Sequence, residues 1–202
     1  MNAKAILLPM SGLLMLFAAA LAGAGWSAAA GNGGQAFPLN DAERLIALAG
    51  NWVEEEEQQL TVTYRGLRAD SACESAPHGC ELLLRQSGRG PEQMKLALDW
   101  AAREGERVSK AGVQGAWYVN VQGWMKDGSS ALALWEELDA RYPTADRYED
   151  AGSRSASYTA EEFQASVRIG DQAVQLQAAV HRDTELLKLR VTLGTPLILI
   201  EY

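Results

Sequence analysis

At 202 residues, the chain is long enough to bury a full core as one domain or two small ones, and its 48% apolar and 22% charged residues exclude a disordered or low-complexity polymer. Its 18 basic against 26 acidic side chains leave a formal charge of −8 at pH 7, which disfavours nucleic acid and anionic lipid as partners. Six tryptophans against three phenylalanines supply bulky amphipathic rings that suit a core, an interface or a ligand platform, and composition does not choose among these.

The first predicted element is an export signal. Lys4 precedes an uncharged run, AILLPMSGLLMLFAAALAGAGW, and Ala28-Ala29-Ala30 offers the small-residue cleavage pattern. Residues 1–30 are therefore expected to be a signal peptide, and the protein to be secreted or held in the cell envelope. The rival reading is a retained membrane anchor, since an apolar run of this length spans a bilayer. Pro9 and the A-x-A site favour cleavage, and an uncleaved segment would be the chain's one contact with a membrane. Cleavage removes Lys4 and no acid, so the charge moves from −8 to −9. Residues 31–38, GNGGQAFP, read as a flexible linker.

Asn40 with Glu43 has the spacing of a capping box, and Leu45, Leu48, Ala49 and Trp52 follow at helical intervals, which predicts a helix over 40–53. The next four residues, Glu54 to Glu57, read as a solvated helix end, because neighbouring helical positions diverge by about 100° and do not converge on a cation. LTVTYRG alternates Leu60, Val62 and Tyr64 with polar residues, a strand signature, and ELLLRQ is expected to return as its partner. Between them Cys73 and Cys80 bracket CESAPHGC. In an exported protein this spacing favours a disulfide. A zinc site using His78 is the rival reading, and it lacks the fourth ligand that a tetrahedral site needs.

Gly90-Pro91 opens a second helix, with Met94, Leu98 and Ala101 on one face and Gly105 as its expected end. AWYVNVQGW alternates again, Trp117, Val119 and Val121 against Tyr118, Asn120 and Gln122. A turn at Asp127-Gly128-Ser129 leads to a third helix whose stripe is Ala131, Leu134, Trp135, Leu138 and Tyr142, stopped by Pro143. Thereafter short strands are expected at 145–158, 164–170, 173–182, 186–193 and 196–201. Thr159 and Glu162 could cap one helical turn between the first two, and a tight hairpin is expected at IGDQ, 169–172. Val174, Leu176, Ala178 and Val180 alternate with polar residues, as do Leu187, Leu189, Val191 and Leu193. One apolar and one polar face describe a largely antiparallel sheet with helices packed on one side, an α+β fold over 39–202 that divides into 39–143 and 144–202. The terminal Leu197 to Ile200 lacks that alternation and is expected to be a strand covered on both faces.

RSASYTAEEF (154–163), GDQAVQLQAAVHRD (170–183) and the ending LRVTLGTPLILIEY together resemble the YwmB family of exported proteins from spore-forming Gram-positive bacteria. The resemblance is best over 150–202 and most specific in Gly194-Thr195-Pro196, the apolar run and Glu201-Tyr202. It implies a fold like that of the TATA-box-binding protein, and it brings no reaction, ligand or catalytic residue with it. Fold likeness does not carry function, and an acidic exported chain is not expected to bind DNA.

Only two histidines are present, His78 and His181, and no H-E-x-x-H, G-x-S-x-G or G-x-x-x-x-G-K-[ST] pattern occurs, so no metal, catalytic residue or cofactor is expected. The tripeptide HRD at 181–183 stands without the other kinase motifs. Two acidic pairs, Glu149-Asp150 and Glu161-Glu162, carry the alternative of a wall-active hydrolase whose carboxylates converge in the fold. Gln175, Gln177, Lys188 and Arg190 are the candidate binding face, amides and cations on neighbouring strands suited to a peptide or carbohydrate. The expected role is a non-enzymatic cell-envelope protein that binds an envelope protein or ligand.

Overall fold

The computed structural model describes residues 36–68 and 80–200. The predicted signal peptide (1–30), most of the linker, Cys73 and His78 lie outside the described residues, and the proposed disulfide with them. Cys80 is the first residue of a strand.

Helix α1 (Leu39–Gly50) leads through a 3-10 turn at Glu55–Glu57 into β1 (Gln59–Arg68) and β2 (Cys80–Arg89). Then come α2 (Gly90–Lys110), β3 (Gln114–Trp124) and α3 (Ala131–Arg141). The second half holds β4 (Thr144–Glu149), β5 (Ser153–Tyr158), β6 (Val167–Ile169), β7 (Gln172–Val174), β8 (Leu176–Arg182) and β9 (Leu189–Thr195). Seven strands form one antiparallel sheet in the order β2-β1-β3-β9-β8-β5-β4, and β6 pairs only with β7. Strands from the two halves of the chain occupy the two halves of this sheet and meet where β3 pairs with β9. The α+β architecture with a large antiparallel sheet is thus as the alternation predicts.

All three helices pack on one sheet face. Ala42, Leu45, Leu48 and Ala49 of α1 meet Met94, Ala97, Ala101 and Val108 of α2 and Leu134, Trp135 and Leu138 of α3 in one core. The sheet contributes Leu60, Val62, Tyr64, Trp117, Val119, Val121, Leu176, Ala178, Val191 and Leu193. Each large apolar side chain removed from water here stabilises the fold by about 1.5–3 kcal/mol. Trp117 lies at the centre, edge-on to Phe37 at 5.2 Å and tilted against Tyr64 at 4.9 Å between ring centroids. Its neighbour Gly115 faces Gly66 across the β1–β3 ladder, and the Tyr64 ring lies over the pair with its hydroxyl donating to the Val113 carbonyl at 3.0 Å.

Several local expectations give way to tertiary contacts. The Asn40 cap does not form: α1 begins at Leu39 after Pro38 with no side-chain cap. Asp41, fully buried, instead accepts hydrogen bonds from the Gln164 and Ala165 amides at 2.9 Å each. Helix α2 continues through Gly105, because a glycine there lets Phe37 cross the helix; a Cβ would stand 2.8 Å from the Phe37 nitrogen. The strand expected at 145–158 is a hairpin, since the Asp150 carboxylate collects the Gly152 and Ser153 amides and turns the chain. Those two amides, with the Tyr148 hydroxyl, hold the Asp150 carboxyl below its usual value. The IGDQ hairpin forms as β6 and β7 around Gly170, whose φ is +60°. Strand β9 starts at Leu189 and not at 186, because the Asp183 carboxylate caps a turn and leaves Leu186 and Leu187 58% and 77% exposed. Finally, 196–200 is not a strand.

Candidate binding face

In an antiparallel sheet, residues directly opposite one another share a face, so the register shows which side chains lie together on the face away from the helices. One row there runs Thr61, Asn120, Gly194, Gln177 and Ser157. The next runs Gln59, Gln122, Thr192, Ala179 and Ser155, and the last runs Trp124, Arg190, His181 and Ser153. This is the polar face that the alternation predicts, now ordered into lines across the strands.

Residues 196–200 lie over the middle of it, above β9. The Asn120 amide nitrogen donates to the Leu197 carbonyl at 2.9 Å, and its oxygen accepts from the Leu199 amide at 3.0 Å. Gln177 Oε1 accepts from the Ile198 amide at 2.9 Å. Close passage requires Gly194, where a Cβ would stand 2.9 Å from the Ile198 nitrogen and 2.5 Å from the Asn120 amide. Leu197 then buries against Tyr118 and Val174, with Val167 and Leu199 alongside, as a small second core. The segment expected to be a strand inside the fold therefore covers the middle of the sheet's second face, together with the β6–β7 hairpin.

The far row remains partly open. All four of its residues are half-buried. The Arg190 guanidinium stacks over the Trp124 ring at 4.5 Å, a cation–π contact, and Ser153 Oγ lies 2.7 Å from His181 Nδ1. An aromatic plane, a guanidinium, an imidazole and a hydroxyl thus stand side by side, which suits recognition of a polar or anionic surface. The arrangement does not suit acyl transfer. The Gly152 and Ser153 amides that would stabilise an oxyanion beside Ser153 are already donated to Asp150.

Of the candidate residues named from sequence, Arg190 stands in this open row. Gln177 lies on the face but holds the Ile198 amide. Gln175 has left the sheet between β7 and β8 and accepts from the Ala160 amide at 3.0 Å. Lys188 is exposed just outside β9, and its carbonyl receives the Asp183 amide. Sequence reasoning passed over Trp124 and Ser153, because only the register shows that they line up with Arg190. The strict alternation of β3 was the signal for Trp124.

The two acidic pairs do not converge. Glu149-Asp150 stands at one end of β5 and Glu161-Glu162 beyond the other, about 20 Å apart at roughly 3.4 Å per strand residue. Glycan hydrolysis needs carboxyls within about 5–9.5 Å of each other. Among the described residues no three or more of His, Cys, Asp and Glu come together in a way that could hold a metal ion.

On the helix side, a solvent-open groove of about 510 Å³ lies between α1 and the end of α3, lined by Arg44, Asn51, Arg141, Tyr142, Glu162 and Phe163 among others. Its polar groups close on one another. Arg44 donates to the Glu162 carbonyl, while Arg141 and Tyr142 donate to Glu162 Oε1 at 2.9 and 2.5 Å. Burial and then the Glu162 carboxylate raise the Tyr142 hydroxyl above its usual value, so it stays protonated as the donor. Glu162, expected to help cap a helical turn, is thus the clasp between helices and loop.

A second clasp surrounds Asp139, which accepts from Arg147 at 2.6 Å and Tyr158 at 3.0 Å. Burial pushes this carboxyl up, but the hydrogen bonds from Arg147 and Tyr158 outweigh it and leave it below the ordinary value. A depressed folded value contributes stability that is complete above the unfolded value and is lost as pH falls through the folded one. Asp139→Asn should therefore lower the urea midpoint at neutral pH, and the gap to wild type should narrow below about pH 4. A gap independent of pH would show that charge is not the contribution.

No described helix is long and apolar enough to cross a membrane. No family model, curated protein or solved structure matches the chain.

Proposed function

We propose that this protein is a non-enzymatic protein of the cell envelope, exported through residues 1–30, that binds an envelope protein or ligand through the open row of its polar sheet face. The row Trp124, Arg190, His181 and Ser153 carries the reading, because it stays partly open beside 196–200 and combines a stacking plane with cationic and hydroxyl groups. The uncharged, largely apolar run after Lys4 and the resemblance of 150–202 to the YwmB family support export. The separation of the acidic pairs supports a role without hydrolysis.

The test is affinity capture from an envelope fraction with residues 31–202 as bait, run beside the Trp124→Ala/Arg190→Ala double variant. Wild type should retain an envelope component that the variant holds at least about tenfold more weakly, in line with the 1–2 kcal/mol of a stacked cation and aromatic contact. Equal retention would remove the row from the interaction. Turnover of cell-wall glycan by the purified chain would overturn the non-enzymatic role.

A further inference from the structure

The segment 196–200 is held in an unusual way for a covering segment. Its described hydrogen bonds run to two side-chain amides of the sheet, and none of them joins it to the backbone of a neighbouring strand. Asn120 reads a carbonyl and an amide two residues apart, and Gln177 reads the amide between them. These are main-chain groups that any extended peptide presents, so the sheet specifies an extended backbone and leaves the side chains to shape. Shape is supplied by the apolar patch of Tyr118, Val174 and Ala116, into which Leu197 fits.

Two further observations set the segment apart from the body of the fold. Neither Leu197 nor Ile200 belongs to the main core, although both are at least nine-tenths buried. On the same face, Thr63 Oγ1, Gln122 Oε1 and Thr192 Oγ1 are buried with no hydrogen-bond partner among the described residues. The chain's own segment thus meets this face through two side-chain amides and a small apolar cluster, outside the main core.

We propose that the face along Asn120, Gly194 and Gln177 is a peptide-binding groove that the chain's own residues 196–200 fill, and that its external ligand is an extended, branched-apolar segment of a partner protein. The ligand's chemistry follows from the occupant: Leu-Ile-Leu-Ile in extended form, its backbone read by the two amides and a branched side chain seated against Tyr118 and Val174. Competition with a tethered occupant lowers the apparent affinity for the external peptide, and loosening the tether raises it.

The experiment uses the full mature chain and a fluorescent peptide of sequence TPLILIEY, read by anisotropy. Leu197→Asp removes the apolar anchor of the internal segment and leaves the sheet intact, so it should bind the peptide at least about tenfold more tightly than wild type. Adding Asn120→Ala should remove about tenfold or more of that binding by deleting the paired main-chain contacts. Folded Leu197→Asp that shows no saturable binding would overturn the proposal. Hydrogen exchange on wild type keeps it testable if the variant fails to fold. The Ile198 and Leu199 amides should exchange by local opening, well before those of β3 and β9, and exchange only through global unfolding would overturn it. A wild-type dimer that trades 196–200 between copies would overturn the partner assignment in favour of a second copy. Failure of the envelope capture would leave these measurements intact, since they use the purified chain alone.

Discussion

Trp117→Ala is expected to lower the stability of the fold by about 4 kcal/mol, the largest loss from any single side chain here. The indole sits on an interior strand of the sheet, only 2% exposed, between Phe37 and Tyr64, so its removal opens a cavity bounded by two other rings. Those rings belong to separate parts of the structure. Phe37 precedes α1 and passes over Gly105 of α2, and Tyr64 belongs to β1. Neither can collapse into the void without breaking its own contacts, and incomplete collapse is what makes large-to-small changes costly. In urea the midpoint should fall with the slope unchanged, since both variants expose the same surface on unfolding. A loss under about 1 kcal/mol would mean the aromatic cluster is peripheral to the core.

Gly115→Val should cost about 3 kcal/mol by the opposite mechanism. A Cβ at this position would stand 2.4 Å from the Arg65 carbonyl and 2.7 Å from the Tyr64 ring. The first contact is with backbone in a paired strand, and backbone there does not give way without disturbing the ladder. The Tyr64 ring would have to rise as well, and its hydroxyl would lose the Val113 carbonyl. Gly152→Ala is the control, because nothing lies within 4 Å of its Cβ direction, and it should stay within about 0.5 kcal/mol of wild type. Equal effects at the two glycines would show that backbone freedom, and not space, is what position 115 requires.

The contrast between these two positions also explains how much of the molecule was legible in its residues. Alternation in LTVTYRG and AWYVNVQGW reports which side chains face the helices, because a strand has period two whatever surrounds it. Helical spacing likewise marks the faces of α1, α2 and α3. Boundaries were less legible where a distant partner intervenes. Asn40 and Glu43 have the spacing of a capping box, but the helix starts at Leu39 and the fold uses Asp41 of its first turn to tie down Gln164 and Ala165, more than 120 positions away. Gly105 looked like a stop because glycine is a poor helix former, yet its lack of a side chain is what allows Phe37 to cross.

The candidate site shows the same division. Arg190 was recognisable as a cation on a polar strand face. That it stacks on Trp124 and stands beside His181 and Ser153 follows from the β3–β9–β8–β5 pairing order, and pairing order is not encoded in any one strand. Gln175 and Gln177 looked equivalent by alternation. The break between β7 and β8 sends one to the 160 loop and leaves the other to grip Ile198.

By itself, then, the sequence determined the α+β class, the apolar and polar sides of the strands, the acidic surface and the expectation of export, because these depend on composition and on periodicities of two and 3.6 residues. Only the tertiary structure decided what becomes of Leu197 to Ile200. Four branched apolar residues must be buried somewhere, and local preference favours a strand. The amides of Asn120 and Gln177 reach their backbone from 77 to 79 and from 21 positions away, and Gly194 leaves the space beneath. With its main-chain groups met by side chains of β3 and β8, the segment lies over β9 instead of joining the sheet.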